Sequence, residues 1–466
     1  MGDERAQTYL RLLAERQARS WPRSGRRSDS NIARSVEPVR WAGGILASAG
    51  VLEESDVHRV AAELEAALLV RSDLERPRSV QLIGWTLDAL ADPPRGDRRW
   101  WGDAAPVGIT PIGRTISVAH ERAPSELHLM SLVRLPGSLV LTAAIRVRWP
   151  PDGSCADLEI EGAGPHLLPY DQLGAADDRG TRYGIVLSGE GGALTWQGAI
   201  GLPGFQPARA RWLDLIADGT QRLIRIELNP ADLQPAAAAE PIPAVPPGER
   251  VLALMAERIL ASAWDEDGPS IDPRLDETIS VLTAAGALPA DSPVPGQLAA
   301  LCQRLGVPEH GISAPPAADL EARWAEVLPP ETGPPGPGPE WFAPLGPAVA
   351  DLADARFVLA GLATAGGQTF LHVVATGTAP QPMHGHDTGL SWWVRDEDGH
   401  WHLALVSDPH ALQPSTAMGF QAAPFRLRLT PPLRTRPDHI EVVVTGRTVR
   451  ARVVVPVGAD REIPDT

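Results

Sequence analysis

The apolar positions of the chain follow two different spacings, which alternate along its length. Ala-rich apolar runs typical of helices occur at Ile45–Leu52 and at Val281–Leu288, and each contains a Gly near its end. Gly often follows a helix because it accepts a positive φ. In Leu141–Arg148 and Ile440–Val444 the apolar residues instead alternate with polar ones or run unbroken at strand length. The pattern predicts an α+β protein in which a helical segment precedes a strand-rich segment twice.

Short landmarks of the first half recur in the same order in the second half. Asp-Gly and Gly-Gly pairs between the apolar runs are typical of hairpin corners, and the βαβ alternation of a parallel sheet is absent from the sequence. The order predicts two tandem degenerate repeats, each a short helical segment followed by an antiparallel β-sandwich-like domain. The landmarks and their counterparts are Gly50 and Gly286, Trp100 and Trp341, Leu127–Leu132 and Phe357–Leu362, Ser138–Ala144 and Thr369–Ala375, Asp178–Gly180 and Asp387–Gly389, Trp196 and Trp401, and Phe205 and Phe420.

Changes in composition along the chain predict seven segments. Two stretches rich in Pro with Ala or Gly are expected to be extended, semi-rigid linkers. The segments are residues 1–34, an N-terminal helix and an Arg/Ser-rich flexible arm; 35–95, the helical segment of repeat 1; 96–233, the β-sandwich of repeat 1; 234–248, a Pro/Ala-rich linker; 249–328, the helical segment of repeat 2; 329–340, a Pro/Gly-rich linker; and 341–466, the β-sandwich of repeat 2.

All 42 basic residues of the chain are Arg, and Lys is absent. The phosphate-binding P-loop, the protein kinases, pyridoxal phosphate enzymes, Schiff-base chemistry and Ser-Lys nucleophiles all need a Lys, so the sequence excludes these classes. A GC-rich genome, in which Arg codons displace Lys codons, would produce this composition. Selection against amines that a cell can modify would produce it too, and one sequence leaves both explanations open.

The charge and the cysteine content limit the partners and the cellular compartment that we expect for the chain. The net charge is −16, and residues 1–233 carry 27 Arg against 30 acidic residues while residues 234–466 carry 15 against 28. Such an acidic chain is a poor general binder of nucleic acid. Cys155 and Cys302 are too few for a disulfide framework or a Cys-based zinc site, which favours a reducing compartment. With a charged N-terminus and no apolar run of membrane-spanning length, the chain is expected to be cytoplasmic with no membrane partner.

Four histidines are the sharpest candidate for chemistry. They form two His-x-His pairs, and alternation along a strand places both imidazoles of such a pair on one face. If the two pairs meet around the turn Arg395–Gly399, four nitrogens could hold a divalent metal, with Asp387 orienting one of them. The alternative is that they are surface histidines without a ligand. The candidate ligands are His384, His386, His400 and His402.

Tryptophan makes up 14 of the aromatic residues, beside 3 Tyr and 6 Phe. Exposed indoles could form a stacking platform for sugars or bases. The candidates for such a binding surface are Trp100, Trp101, Trp392 and Trp393. Because Trp100 has a counterpart at Trp341, a structural role in the core is the favoured interpretation.

Adjacent acidic residues predict turns rather than acid–base pairs. Neighbours on a strand point to opposite faces, so we expect Asp177-Asp178 to form an Asx-type turn and Asp396–Asp398 a solvated hairpin tip. No complete catalytic set emerges from the sequence. We therefore expect a non-catalytic interaction or scaffold protein that has no cofactor. Its partner is expected to be another protein, and self-association is compatible with this role. The alternatives are a metal-binding enzyme or sensor that uses the four histidines, and a ligand-binding β-sandwich with a Trp platform.

Overall fold

The computed structural model describes the chain in segments that form two compact units, one helical and one built of strands. This confirms the predicted α+β class. Among the described residues, no helix is both long and apolar enough to cross a membrane. The described residues are 2–20, 29–72, 108–118, 125–147, 173–191, 195–203, 210–217, 221–228, 237–265, 268–269, 274–307, 312–330, 340–352, 355–377, 390–406, 423–458 and 461–462.

The helical unit takes helices from both halves of the chain. The predicted Gly C-termini are confirmed: Gly50 (φ 72°) and Gly286 (φ 74°) lie just beyond two helices in the left-handed region that favours Gly. The second helix begins at Asp29, so the part of the expected flexible arm from there onward is helical instead. The helices are α1 Gly2–Ser20, α2 Asp29–Ser48, α3 Glu54–Ser72, α4 Pro247–Ser262, α5 Leu275–Ala284, α6 Val294–Arg304 and α7 Ala322–Glu326.

Contacts within this unit join helices that lie far apart in sequence. Arg5 of α1 donates from Nε to the carbonyl of Ala284 at the end of α5, at 3.1 Å, where the last carbonyls of a helix favour a cation. Arg274, just before α5, pairs with Glu37 of α2 at 3.0 Å. The helices of the two halves thus pack with each other.

The strands of the first half form two hydrogen-bonded sheets. One has the order β1-β2-β3-β7-β6, with the strand Arg461–Glu462 of the second half beside β1, and the other has the order β5-β4-β8-β9. Only Ile185 separates β5 from β6, so together these two strands form one interrupted strand that joins the sheets. The strands are β1 Gly108–Val118, β2 Ser125–Leu135, β3 Ser138–Val147, β4 Leu173–Asp177, β5 Arg182–Gly184, β6 Val186–Gly191, β7 Thr195–Pro203, β8 Trp212–Ala217 and β9 Gln221–Glu227.

The strands of the second half form one antiparallel sheet of order β10-β18-β17-β14-β15-β16-β13-β12-β11. A bridge between Leu345 and Val457 brings its two ends together, so the sheet curls back on itself. The strands are β10 Glu240–Pro241, β11 Trp341–Asp351, β12 Ala355–Ala365, β13 Gln368–Gly377, β14 Ser391–Arg395, β15 Trp401–Val406, β16 Ala423–Thr430, β17 His439–Thr445, β18 Val449–Pro456 and β19 Arg461–Glu462, the last of which pairs with β1.

The two halves share their strand order and their irregularities. Once β5 and β6 are taken as one strand, β9-β8-β4-β5/β6-β7-β3-β2-β1 matches β18-β17-β14-β15-β16-β13-β12-β11. The register shifts after Pro111 on β1 and after Pro344 on β11, where a residue without an N–H suits a bulge. It shifts again between Leu129 and Ser131 on β2, and between Leu359 and Gly361 on β12.

The first strand of each half also pairs with a segment from outside its own set of strands. Beyond β18, Arg461 pairs in parallel with Arg114 of β1. Beyond β9, Ala237 forms a parallel bridge with Ala350 of β11, and its N–H donates to the carbonyl of Val349 at 3.0 Å. Arg461 of the second half thus covers an edge of β1, and Ala237 of the linker covers an edge of β11.

Four apolar clusters of the described residues hold the β unit together, the smallest of which joins Met130 of β2 to Phe342 of β11. One lines the inner face of the first-half strands and another the inner face of the second-half strands. The third, which we call the sheet contact, lies between the two sets of strands, and β2 and β12 are therefore buried on both faces. Its members are Ile109, Val133, Leu135, Val140, Ala199, Val349, Val358, Ala360 and Val374.

Candidate metal centre

The turn between β14 and β15 holds a group of carboxylates and imidazoles. The N–H of Asp396 donates to the carbonyl of His400 at 3.0 Å, and the N–H of Gly399 donates to the carbonyl of Asp396 at 3.1 Å. Gly399 has a φ of 89°, which a side chain would disfavour. The N–H of His400 also donates to Oδ1 of Asp396 at 2.8 Å. The turn therefore fixes the Asp396 carboxylate and leaves its Oδ2 facing the neighbouring side chains.

Three other potential ligands, Asp398, His400 and His402, lie near this oxygen. The ligand atoms of Asp396, Asp398 and His400 all lie within 4.8 Å of one another. Oδ2 of Asp396 is 3.5 Å from Nδ1 of His400 and 3.4 Å from Nε2 of His402. The His402 side chain is only 5% exposed, whereas that of His400 is 74% exposed. The group is anchored in the sheet on one side and open to solvent on the other.

The hydrogen bond of His402 to Pro431 determines which ring nitrogen faces Asp396 and whether it carries a proton. Its Nδ1 lies 2.6 Å from the carbonyl oxygen of Pro431, which can only accept, so Nδ1 carries the proton. A neutral His402 then directs the lone pair of Nε2 at the Asp396 carboxylate. A cation between the two atoms, either a proton or a metal ion, is needed to hold them together. A carbonyl that fixes the tautomer of a ligating imidazole is the arrangement common around protein-bound metals.

The distances suit a metal ion at least as well as a hydrogen bond. Good N–H···O bonds measure about 2.7–3.2 Å. Ligands about 2.0–2.1 Å from a tetrahedral Zn²⁺ are about 3.3 Å from one another. The 3.4 Å and 3.5 Å separations around Oδ2 of Asp396 lie closer to the second value.

The charge of Asp396 also suits a cation. Burial raises the pKa of its carboxyl, but hydrogen bonds from the His402 side chain and the His400 N–H, together with the charges of these imidazoles, outweigh burial and bring the pKa to about 2. Asp396 is therefore an anion at neutral pH. An ionised carboxylate and imidazole nitrogens are donors that Zn²⁺ accepts.

The first half has the same turn without the imidazoles. Oδ1 of Asp177 accepts from the N–H of Arg179 at 3.0 Å and of Thr181 at 2.8 Å, which confirms the predicted Asx-type turn. Oδ2 of Asp177 accepts from the Tyr183 hydroxyl at 2.8 Å. Because the Tyr183 hydroxyl supplies the proton between the two oxygens, no metal ion is needed to hold these side chains together.

The second acidic residue of each turn has a matching role as well. Asp178 accepts from the N–H of Arg211 at 3.0 Å, and Glu397 accepts from the N–H of Asp438 at 2.7 Å. Both N–H groups stand directly before the next paired strand, β8 or β17. The turns differ at alternate positions, where Arg179, Thr181 and Tyr183 of the first half are matched by Asp398, His400 and His402 of the second.

The other residues singled out in the sequence divide into two groups. His384, His386, Asp387, Trp100 and Trp101 lie outside the described residues. The indoles of the second half are in the interior: Trp392 is 1% exposed and Trp393 is 2% exposed. Neither ring presents a face to a stacking ligand.

Packing explains where these two indoles point. Trp392 makes an edge-to-face contact with Phe357, with ring centroids 4.9 Å apart. Trp393 meets Trp401 in the same way at 6.3 Å and donates from Nε1 to the Ser391 hydroxyl at 3.0 Å. These contacts belong to the core and the strand pairing of β14 and β15.

Sequence reasoning anticipated His400 and His402 but treated the acidic residues beside them as a solvated tip. A signal was present in the spacing, because Asp396, Asp398, His400 and His402 occupy every second position. Residues with this spacing share one face of a strand. Comparison with known proteins adds no relative to this geometry: no protein-family model, no curated protein and no solved structure matches the chain.

Proposed function

We propose that the chain binds a divalent transition metal, Zn²⁺, at the β14–β15 turn. The observation that supports this most directly is the orientation of His402, whose Nδ1 is committed to Pro431 while Nε2 faces Asp396 at 3.4 Å. Asp398 and His400 converge with Asp396 within 4.8 Å of one another, and His402 approaches this group through Asp396. Mixed nitrogen and oxygen donors favour Zn²⁺ over Ca²⁺ or Mg²⁺, which prefer oxygen alone.

The position of the site suggests binding rather than turnover. His400 and Asp398 are exposed, so a metal ion can enter without opening the sheet. Buried His402 and half-buried Pro431 would connect the ion to β15 and to the end of β16. A bound metal would thus stiffen one surface hairpin, as expected of a metal-dependent sensor or interaction surface.

Titration calorimetry on the chelator-stripped full-length protein tests the proposal. We expect Zn²⁺ binding that Ca²⁺ does not reproduce, and we expect His400→Ala to remove one bound Zn²⁺ per chain or to weaken that site by about 100-fold, since each ligand is a large part of the affinity. His400 is exposed, so its replacement should leave the fold intact. Thr181→Ala, at the matching position of the first half, is the control and should bind Zn²⁺ as the wild type does. Equal binding by both variants would refute the site.

The correspondence between the halves supports a second proposal, that the chain is a non-catalytic interaction protein made of two degenerate copies of one helical and sandwich-like unit. The matched strand order and the matched turns support the duplication, and so do the matched bridges of Arg461 to β1 and of Ala237 to β11. The two copies differ in charge, with 28 acidic residues against 15 Arg over residues 234–466. A basic protein partner would suit that half.

Capture of partners by the intact chain at low and at high salt tests this second proposal. A stoichiometric basic partner that dissociates as the salt concentration rises is expected, because salt screens charge pairs at a surface. A partner held equally well at both salt concentrations, or recovery of none, would count against it.

A further inference from the structure

A single imidazole is buried in the contact between the two sets of strands. His372 lies on β13 between Leu371 and Val373, which belong to the inner core of the second half. Because side chains alternate along a strand, His372 points to the opposite face. There the ring is 2% exposed, and its Nε2 lies 3.2 Å from Oε1 of Gln197 on β7 of the first half.

Among the described contacts of His372, no neighbouring strand provides a negatively charged side chain. In its own sheet it is paired with Gly361 of β12 and with Arg426 of β16. The facing strand β7 contributes the neutral amide of Gln197. Arg426 is itself buried, with its guanidinium 5.1 Å from the centre of the Phe370 ring. A proton added to His372 would therefore place a second positive charge near the first, inside an apolar contact.

The energetic consequence is a strong preference for the neutral ring. Burial, and then the positive charge of Arg426, lower the pKa of His372 to about 3. Another histidine in the same region differs in this respect: His128 on β2 stacks on Phe342 at 4.0 Å and lies 3.6 Å from the carboxylate of Glu126. A charge on His128 has a counter-ion, whereas a charge on His372 has only an amide oxygen.

We propose that His372 makes the sheet contact acid-sensitive, so that mild acid opens the contact between the two sets of strands before either set loses its own hydrogen bonding. An imidazole exposed by opening takes up a proton freely, and the closed contact does not accept that proton. Acid therefore favours the open form.

The lowered pKa of His372 determines how the equilibrium between the closed and open forms depends on pH. A base whose pKa is lowered by folding leaves stability intact above its ordinary pKa of about 6.5 and removes it as the pH falls below that value. Each pH unit below about 6.5 multiplies the ratio of open to closed molecules by about 10, until the pH reaches the pKa of the closed form.

Dye binding and circular dichroism on the full-length protein test the proposal together. An apolar dye such as anilinonaphthalene sulfonate should report exposure of the sheet contact between about pH 6 and pH 4, while the far-ultraviolet signal of the strands persists. In His372→Gln the dye transition should move down by at least about 1 pH unit. His439→Gln removes an exposed histidine of β17 and should titrate like the wild type.

A variant of opposite design keeps the test informative if His372→Gln folds poorly. Gln197→Glu places a carboxylate 3.2 Å from the imidazole, and this counter-ion should also move the transition to lower pH. If both variants titrate like the wild type, or if dye binding and loss of the strand signal coincide in the wild type, the proposal is wrong.

Discussion

The turns Asp177–Thr181 and Asp396–His400 have the same backbone hydrogen bonds and different chemistry. In both, an Asp carboxylate holds the turn and a Gly takes a positive φ, at Gly180 (78°) and Gly399 (89°). In the first turn the remaining carboxylate oxygen accepts from a phenol, whereas in the second it faces two imidazoles. The comparison teaches that Asp and Gly maintain the turn, while the alternate positions facing the carboxylate are free to acquire a function.

The largest effect on structure is expected when the two halves of the chain are separated. The sheet contact buries nine apolar residues of both halves, and separating the halves exposes this surface to water. The helices of both halves also pack in one unit, and Arg461 of the second half pairs with β1 of the first. We expect residues 1–233 and 234–466, expressed separately, to keep much of their strand signal but to self-associate through the exposed sheet contact, and to form a soluble complex when co-expressed.

Circular dichroism and size-exclusion chromatography of the separate and co-expressed halves provide the measurement. A soluble monomer formed by either half alone would show that the sheet contact and the pairing of Arg461 with β1 are not required to keep that half in solution.

A smaller loss of stability is expected from a substitution at Gly361, where β12 packs against β2. Gly361 of β12 takes the bulge position that Ser131 has on β2. A Cβ at Gly361 would lie 2.7 Å from Sδ and 2.9 Å from Cβ of Met130. We expect Gly361→Ala to lower the free energy of unfolding by about 1–3 kcal/mol through overpacking.

Urea unfolding of a double-mutant cycle measures this effect. Met130→Ala removes the Sδ that a methyl group at 361 would meet but keeps the Cβ, so the double variant should be somewhat more stable than the sum of the single effects predicts. Additive losses would mean that the crowding at Gly361 comes from the Cβ of residue 130 or from the backbone instead.

The first turn permits a test of its hydroxyl. Burial raises the pKa of Asp177, but hydrogen bonds from Tyr183 and from the N–H groups of Thr181 and Arg179 lower it overall. Its stabilisation is therefore present above the ordinary pKa of about 3.8 and is lost as the pH falls through the lowered value. We expect Tyr183→Phe to cost about 1.5 kcal/mol at pH 7, because a hydrogen bond to a charged acceptor is removed.

Urea unfolding at several pH values checks the assignment of that hydrogen bond. The difference between wild type and Tyr183→Phe should shrink as Asp177 is protonated, and it should be nearly absent in an Asp177→Asn background. A difference that stays constant with pH would assign the loss to packing of the ring.

Local features of the fold could be predicted from the sequence, and distant pairings could not. The Gly residues beyond α2 and α5, the strands β3 and β17 and the Asp177 turn each depend on a few adjacent residues. The bridge from Ala237 to Ala350 has no local signal, since any short extended segment could pair there. The same limit applies to the association of helices from both halves in one unit.

The candidate site shows the same limit on a smaller scale. Sequence similarity pairs Asp178–Gly180 with Asp387–Gly389, whereas the hydrogen bonds of Asp177–Thr181 recur at Asp396–His400. The histidine spacing could be recognised from the sequence. The direction of the Asp396 carboxylate and the hydrogen bond to Pro431 could not, because a turn and a residue 29 positions away set them.

The smallest change in stability is expected when the chemistry of one turn is moved to the other. Arg179→Asp, Thr181→His and Tyr183→His together give the first turn the side chains of the second. Because Asp177 and Gly180 maintain the backbone, we expect the triple variant to lose no more than about 1.5 kcal/mol, the cost of the Tyr183 hydroxyl, and to bind one more Zn²⁺ per chain than the wild type. The bound zinc, measured after dialysis, decides the outcome. A folded variant with no added Zn²⁺ would show that the turn is insufficient and that a carbonyl placed like that of Pro431 is needed to orient the second imidazole.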